Sequence, residues 1–237
     1  MKHWAFCLLL LAGDVSAAEP RCKIAVDVGH DKLDFGTQSA RGLPEWQFND
    51  QVGKLFYAEL LRRHIRAMLY NADGRPVSLE DRPRWAAANG ATLFVAIHHD
   101  SAQEKYMSQW QVDGVTHDYS DLFSGYGLFV SKKNPFFAES YQVADAVGGK
   151  LLAEGLHPSL HHAEPIPGEN RPLLDDKKGI YQFDDLRVLK TATIPALLLE
   201  VGVLVNRQEE LVVATPDYRN KVVTALMAGI QAHCDGR

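Results

Sequence analysis

Three apolar runs of this 237-residue chain each lead into residues that can bind a metal or move a proton. "KIAVDVGH" (Lys23–His30) supplies Asp27 and His30, and "TLFVAIHHD" (Thr92–Asp100) supplies His98, His99 and Asp100. "IPALLLE" reaches Glu200 only after an unbroken series of apolar or small residues from Ile194 to Leu199. Buried imidazoles and carboxylates must find partners, so three such runs together point to a shared polar site. Imidazoles and a carboxylate are the donors of a catalytic zinc, which takes three protein ligands and leaves a fourth position for water. The long gaps exclude an H-E-x-x-H helix, so any ligands must come from separate loops. On residue types alone, histidines satisfied by ordinary hydrogen bonds stay open as the alternative.

The elements that would position these residues alternate in type. "KIAVDVG" reads as a strand, and "EWQFNDQVGKLFYAELLRRH" as a helix with Phe48, Val52, Leu55, Phe56 and Leu60 on one face. "IRAMLY" reads as a strand, and "SLEDRPRWAAAN" as a helix start with Ser78 three residues before Asp81. The strands "TLFVAIH" and "YGLFVS", a helix over Pro135–Glu154, the buried strand "IPALLLEVG" and a closing helix "PDYRNKVVTALMAGIQAHC" follow. Continuously apolar strands alternating with helices predict a single α/β domain: a twisted, mostly parallel sheet with helices on both faces. Ligands in such folds sit at the carboxyl ends of the strands, where a zinc site would lie. Strand alternation places His98 with Phe94 and Ala96, and His99 opposite with Val95 and Ile97, so the two cannot both face one metal.

Other residues carry weaker signals. Asp27 could orient a ligand histidine or simply start a loop. His64 follows two arginines at a helix end, where a polar side chain suits the dipole. The segment Gln103–Ser124 is irregular. The loop "HPSLHHAEPIPGENRPLLDDKKG", with His161, His162 and Arg171, is long enough to be a lid or a binding loop. An exposed variable loop fits it equally well.

Residues 1–18, "MKHWAFCLLLLAGDVSAA", have the basic start, apolar core and small-residue end of a cleaved signal peptide. The core is far shorter than the ~20 residues a membrane span needs. The mature chain, 19–237, would be exported to the periplasm or outside the cell. Its net charge of -5, without a basic tract, argues against nucleic acid as a partner. No later segment is apolar enough to span a membrane. Cys22 and Cys234 could pair in an oxidising compartment, although the sequence alone leaves two free thiols open.

The ordered motifs resemble the zinc-dependent N-acetylmuramoyl-L-alanine amidases of the type-3 class. That family shows Asp-Pro-Gly-His after a strand, then a Glu, a "…AN…lFvSIHaD" segment and a late "PavLvEvGFlsN" segment. Here the counterparts are "VDVGH", Glu45 in "GLPEWQFN", "ANGATLFVAIHHDS" and "IPALLLEVGVLVN", with "DLRVLK" leading into the last. The resemblance covers nearly all of residues 19–237. It implies that His30, Glu45 and His98 bind one Zn2+, and that Glu200 is the catalytic carboxylate. It also implies a peptidoglycan substrate, cut between N-acetylmuramic acid and L-alanine for wall turnover or daughter-cell separation. A protein activator and a monomeric state are further expectations. Arg171 could then meet a stem-peptide carboxylate. Val28 stands in place of the family's proline, the glycines after the first histidine are absent, and His99 and Val203 replace alanine and phenylalanine. None of these changes removes a ligand. Another zinc amidohydrolase or peptidase, or an inactive wall-binding regulator, are the competing readings.

Overall fold

Apolar strands with no polar alternation must be covered on both faces, and the chain achieves this with one mixed sheet. The computed structural model describes residues 22–235; the expected signal peptide lies outside them. Strand β1 (Lys23–Val28) leads to helix α1 (Glu45–Arg62), strand β2 (Arg66–Tyr70), helix α2 (Asp81–Ala88) and strand β3 (Leu93–Asp100). A separate hairpin, β4 (Ser108–Val112) and β5 (Val115–Tyr119), precedes β6 (Gly127–Val130) and α3 (Phe137–Ala153). Then come β7 (Leu173–Asp175), β8 (Ile180–Gln182), α4 (Arg187–Lys190), β9 (Ala196–Val203), α5 (Glu209–Val213) and α6 (Pro216–Asp235).

The sheet order is β2-β1-β3-β9-β6-β8-β7. Strands β2, β1, β3 and β9 are mutually parallel, whereas β6 runs antiparallel to β9 and β7 antiparallel to β8. Two cores flank it. On one face Ile24, Val26, Val95, Ile97 and Leu199 pack with Phe56 of α1, Val147 of α3 and Leu226 of α6. On the other, Phe94, Ala96, Phe129 and Leu198 pack with Ala86 of α2 and Leu189 of α4. The alternation predicted for β3 holds: Phe94 and Ala96 share the second face, Val95 and Ile97 the first.

Two regions differ from the sequence reading. The irregular stretch 103–124 contains the β4–β5 hairpin, turned by Asp113 and Gly114 with φ of 50° and 80°. Positive φ at both central residues gives the turn whose twist matches paired strands. Trp110 anchors this hairpin by donating from Nε1 to the Ala40 carbonyl (2.6 Å) and packing against Arg41 and Arg207. The long loop also contributes β7, which finishes the sheet edge.

Cys22 and Cys234 form a disulfide across 212 residues, with Cα atoms 5.4 Å apart. It ties the start of β1 to the end of α6. No helix among the described residues is long and apolar enough to cross a membrane.

Candidate functional site

Glu45 is the first residue of α1, and its carboxylate is almost completely buried. Burial alone would favour its neutral form, so donors must compensate. His30 Nε2 lies 3.1 Å from Oε2, and His98 Nδ1 lies 3.1 Å from Oε1. The Thr37 and His99 amides and the Asn49 side chain donate to the same carboxylate (3.1, 3.2 and 3.0 Å). Burial pushes the Glu45 pKa up, but the hydrogen bonds and charges of His30 and His98 outweigh this and hold it far below the usual carboxylate range.

His30 follows β1 with a left-handed φ of 61°, a conformation that costs a non-glycine residue energy unless its surroundings hold it. Its carbonyl accepts from Arg82 Nη2 (2.9 Å) and from Asn71 Nδ2. Arg82 also bonds the Val28 carbonyl (2.8 Å) and forms a buried ion pair with Asp27 (3.0 Å). Asp27 thus pairs with the arginine that fixes the His30 backbone rather than hydrogen-bonding a site histidine. Burial raises the Asp27 pKa, and Arg82 counters that effect. Breaking a buried ion pair from one side leaves an unpaired charge. Arg82→Met should lower unfolding stability by about 3 kcal/mol or more and weaken metal binding at least tenfold. Urea denaturation and zinc titration would check both.

His98 and Glu200 occupy neighbouring register positions on β3 and β9. Glu200 lies within β9, three residues short of its end, because the apolar run continues through Val201–Val203 in the sheet. It faces a cleft of about 300 Å³, together with His30, His98, Phe129, His162 and Arg171. Its Oε2 is buried without a hydrogen-bond partner. Burial, reinforced by the charges of Asp100 and Glu45, pushes its pKa well above the ordinary carboxylate value. A carboxyl so placed holds and releases protons readily.

Three of the four site residues named from the sequence, His30, His98 and Glu200, line one cleft, and Glu45 lies buried against both histidines. The ligand atoms of His30, Glu45 and His98 lie within 4.8 Å of one another. Gly29 and Gly36 leave room for them: a Cβ on Gly29 would overlap the His98 ring, and one on Gly36 the Glu45 carboxylate and the His30 ring. Two imidazoles and one carboxylate, packed in a glycine cradle beside an orphaned carboxyl, fit a catalytic zinc.

His99 points the other way. Its Nδ1 pairs with Asn49 Oδ1 (2.7 Å), and burial lowers its pKa to about 3, so it is neutral. Asn49 donates in turn to Glu45 (3.0 Å), so the His99 ring is joined to that carboxylate through Asn49. His64 is exposed at the end of α1. Arg171 stacks over Phe183 (3.5 Å) at the cleft and donates to the Gly168 carbonyl (2.9 Å). No residue of the hairpin lines the cleft.

A hydrogen-bonded bridge forms part of the cleft wall. His162, in the turn His161–Ala163, bridges Asp100 Oδ2 (2.8 Å) and Glu169 Oε2 (2.7 Å). Burial lowers its pKa, but the two carboxylates more than reverse this and raise it to about 9. The paired histidines 161–162 stand out in the sequence, but only the fold brings them to Asp100.

Comparison with known proteins adds to this geometry. The family model described as N-acetylmuramoyl-L-alanine amidase matches residues 24–232. The chain is 25% identical over 238 residues to the probable N-acetylmuramoyl-L-alanine amidase AmiB of Haemophilus influenzae, covering 90% of this chain and 52% of that protein. It is 25% identical over 223 residues to AmiA of Salmonella typhimurium, covering 87% of this chain and 74% of that one. The chain therefore spans about half the length of the first relative and three quarters of the second. Its fold is similar to the amidase from Clostridium difficile 630 (TM-score 0.70, 20% identity, 92% of this chain and 100% of that one). Ami1 from Mycobacterium smegmatis is equally similar (TM-score 0.70, 19% identity, 91% and 98%).

Proposed function

Since the chain belongs to the N-acetylmuramoyl-L-alanine amidase family, we propose that it hydrolyses the amide between the lactyl group of N-acetylmuramic acid and the L-alanine of the stem peptide. The observation that carries this reading is the convergence of His30, Glu45 and His98 at a cleft that Glu200 also lines. His30, Glu45 and His98 would hold one zinc ion. When bound, zinc acidifies a water ligand and polarises the scissile carbonyl.

The chain's own residues supply the rest. Glu200 accepts the proton of the attacking water at its unpartnered Oε2, and the oxygen of that water bonds to the lactyl carbonyl carbon. As the C–N bond breaks, Glu200 returns the proton to the departing alanine nitrogen, which leaves as a free amine. The raised proton affinity of Glu200 suits both halves of this exchange. Phe129 and Leu198 give the cleft an apolar wall, which limits competing water near the carboxyl.

The chain would act outside the cytoplasm, in the periplasm or beyond. The leader-like residues 1–18 and the disulfide support this, since disulfides persist in oxidising compartments. Peptidoglycan is the partner; a protein activator and a monomeric state belong to the same proposal.

The reading is tested by digesting purified sacculi with the zinc-loaded protein and analysing the products by mass spectrometry. Free stem peptides beginning with an L-alanine amine are expected, and removing the metal with a chelator should stop their release. Cuts within the peptide that leave the muramyl–alanine bond intact would instead assign a zinc peptidase.

A further inference from the structure

A second set of two imidazoles and a carboxylate stands apart from the first. Asp100, His161 and His162 also bring three ligand atoms within 4.8 Å of one another. His162 Nε2 is 2.8 Å and His161 Nε2 is 3.5 Å from the same oxygen, Asp100 Oδ2. In the first cluster the corresponding imidazole–carboxylate distances are both 3.1 Å, so the two sets have similar dimensions.

Both rings are also oriented from behind. Glu169 Oε2 lies 2.7 Å from His162 Nδ1, and Ser159 Oγ lies 2.7 Å from His161 Nδ1. Metal-binding histidines are held in this way, one ring nitrogen donating to an oxygen and the other turning its lone pair to the ion; at His162 the ion would take the place of the Nε2 proton that now lies between the ring and Asp100. His161 stacks on Phe123 with ring centroids 4.8 Å apart, which fixes its plane. Its Nε2 faces Asp100 Oδ2 from 3.5 Å, too far for a good hydrogen bond. That nitrogen has no hydrogen bond although the residue is only 5% exposed, and a buried unpaired ring nitrogen is unfavourable. With the ring proton on Nδ1 beside Ser159, the same nitrogen would turn its lone pair to a cation held between it and Asp100.

From this geometry we propose that Asp100, His161 and His162 form a second zinc site. Two imidazoles and one carboxylate suit zinc better than calcium or magnesium, which take oxygen ligands. The ion would pin the turn 161–163 to the end of β3. Because His162 and Glu169 both line the cleft with Glu200, it would fix the wall against which the substrate rests.

The test is a metal count, which does not depend on what the chain cuts. The whole chain is stripped with a chelator, reloaded with zinc, dialysed and measured by inductively coupled plasma mass spectrometry. Two equivalents per chain are expected for the wild type. His161→Phe, which keeps a ring against Phe123, should bind one. His30→Ala/His98→Ala, which destroys the first cluster, should also retain one. The proposal is overturned if the wild type saturates at one equivalent, if His161→Phe still binds two, or if the double variant binds none. Should His161→Phe fail to fold, the wild-type and double-variant counts decide the matter.

Discussion

Replacing Glu200 with Gln should slow amide hydrolysis by about a thousandfold or more, the range expected for removing a general acid–base group. That corresponds to about 4 kcal/mol of transition-state stabilisation. The substitution keeps side-chain size and leaves His30, Glu45 and His98 in place, so bound zinc should be nearly unchanged. Stability should not suffer either. Glu200 has a buried oxygen without a partner, and Asp100 and Glu45 disfavour its charge. A neutral amide removes that repulsion, so the melting temperature of the metal-free variant should match or exceed that of the wild type. Steady-state kinetics, zinc content and a thermal melt on the same preparation would check all three. Loss of activity together with loss of zinc or of folding would mean that Glu200 is structural. Release of stem peptides at the wild-type rate would remove it from the chemistry.

The second large effect separates two adjacent residues. His98→Ala should lose tightly held zinc at the first site, with affinity falling at least a hundredfold, more than the loss of an outer hydrogen-bonding partner. Hydrolysis should fall to background with it. His99→Ala should keep that zinc. The His99 contribution to Glu45 is a backbone amide at 3.2 Å, which alanine retains. What alanine loses is the ring bonded to Asn49 and packed near Phe48 (ring centroids 5.6 Å apart). That should lower stability by about 1–3 kcal/mol through a cavity and an unpaired Asn49 oxygen. Zinc titration by calorimetry with urea unfolding distinguishes the two variants. Equal loss of zinc in both would make the pair a joint site.

How far these residues could be read from the sequence differs from one to the next. His98 and Glu200 lie on long apolar strands, and strand alternation fixes their facing before any tertiary contact is known. Their register neighbourhood on β3 and β9 then follows from the sheet order. Glu45 is different: composition offers only an acid in the first turn of a helix, and family resemblance singled it out. The Asp27–Arg82 pair spans 55 residues and depends on how α2 docks, which no local pattern encodes. The β4–β5 hairpin had a signal, the Asp113–Gly114 turn, but its exposed ribbon carries little apolar alternation. Strands β7 and β8 have three residues each, too few to show a period. The Asp100–His162–Glu169 bridge joins groups 62 and 7 residues apart through an irregular loop, and loops carry no periodic signal at all.

The most direct measurement of the central claim is hydrolysis of a soluble muramyl peptide by the zinc-loaded protein in ¹⁸O-enriched water. If Glu200 drives water onto the lactyl carbonyl, one ¹⁸O atom should appear in the new lactyl carboxylate. The peptide product should carry a free L-alanine amine and no label. Label in a peptide carboxylate, with the muramyl–alanine bond intact, would contradict the account.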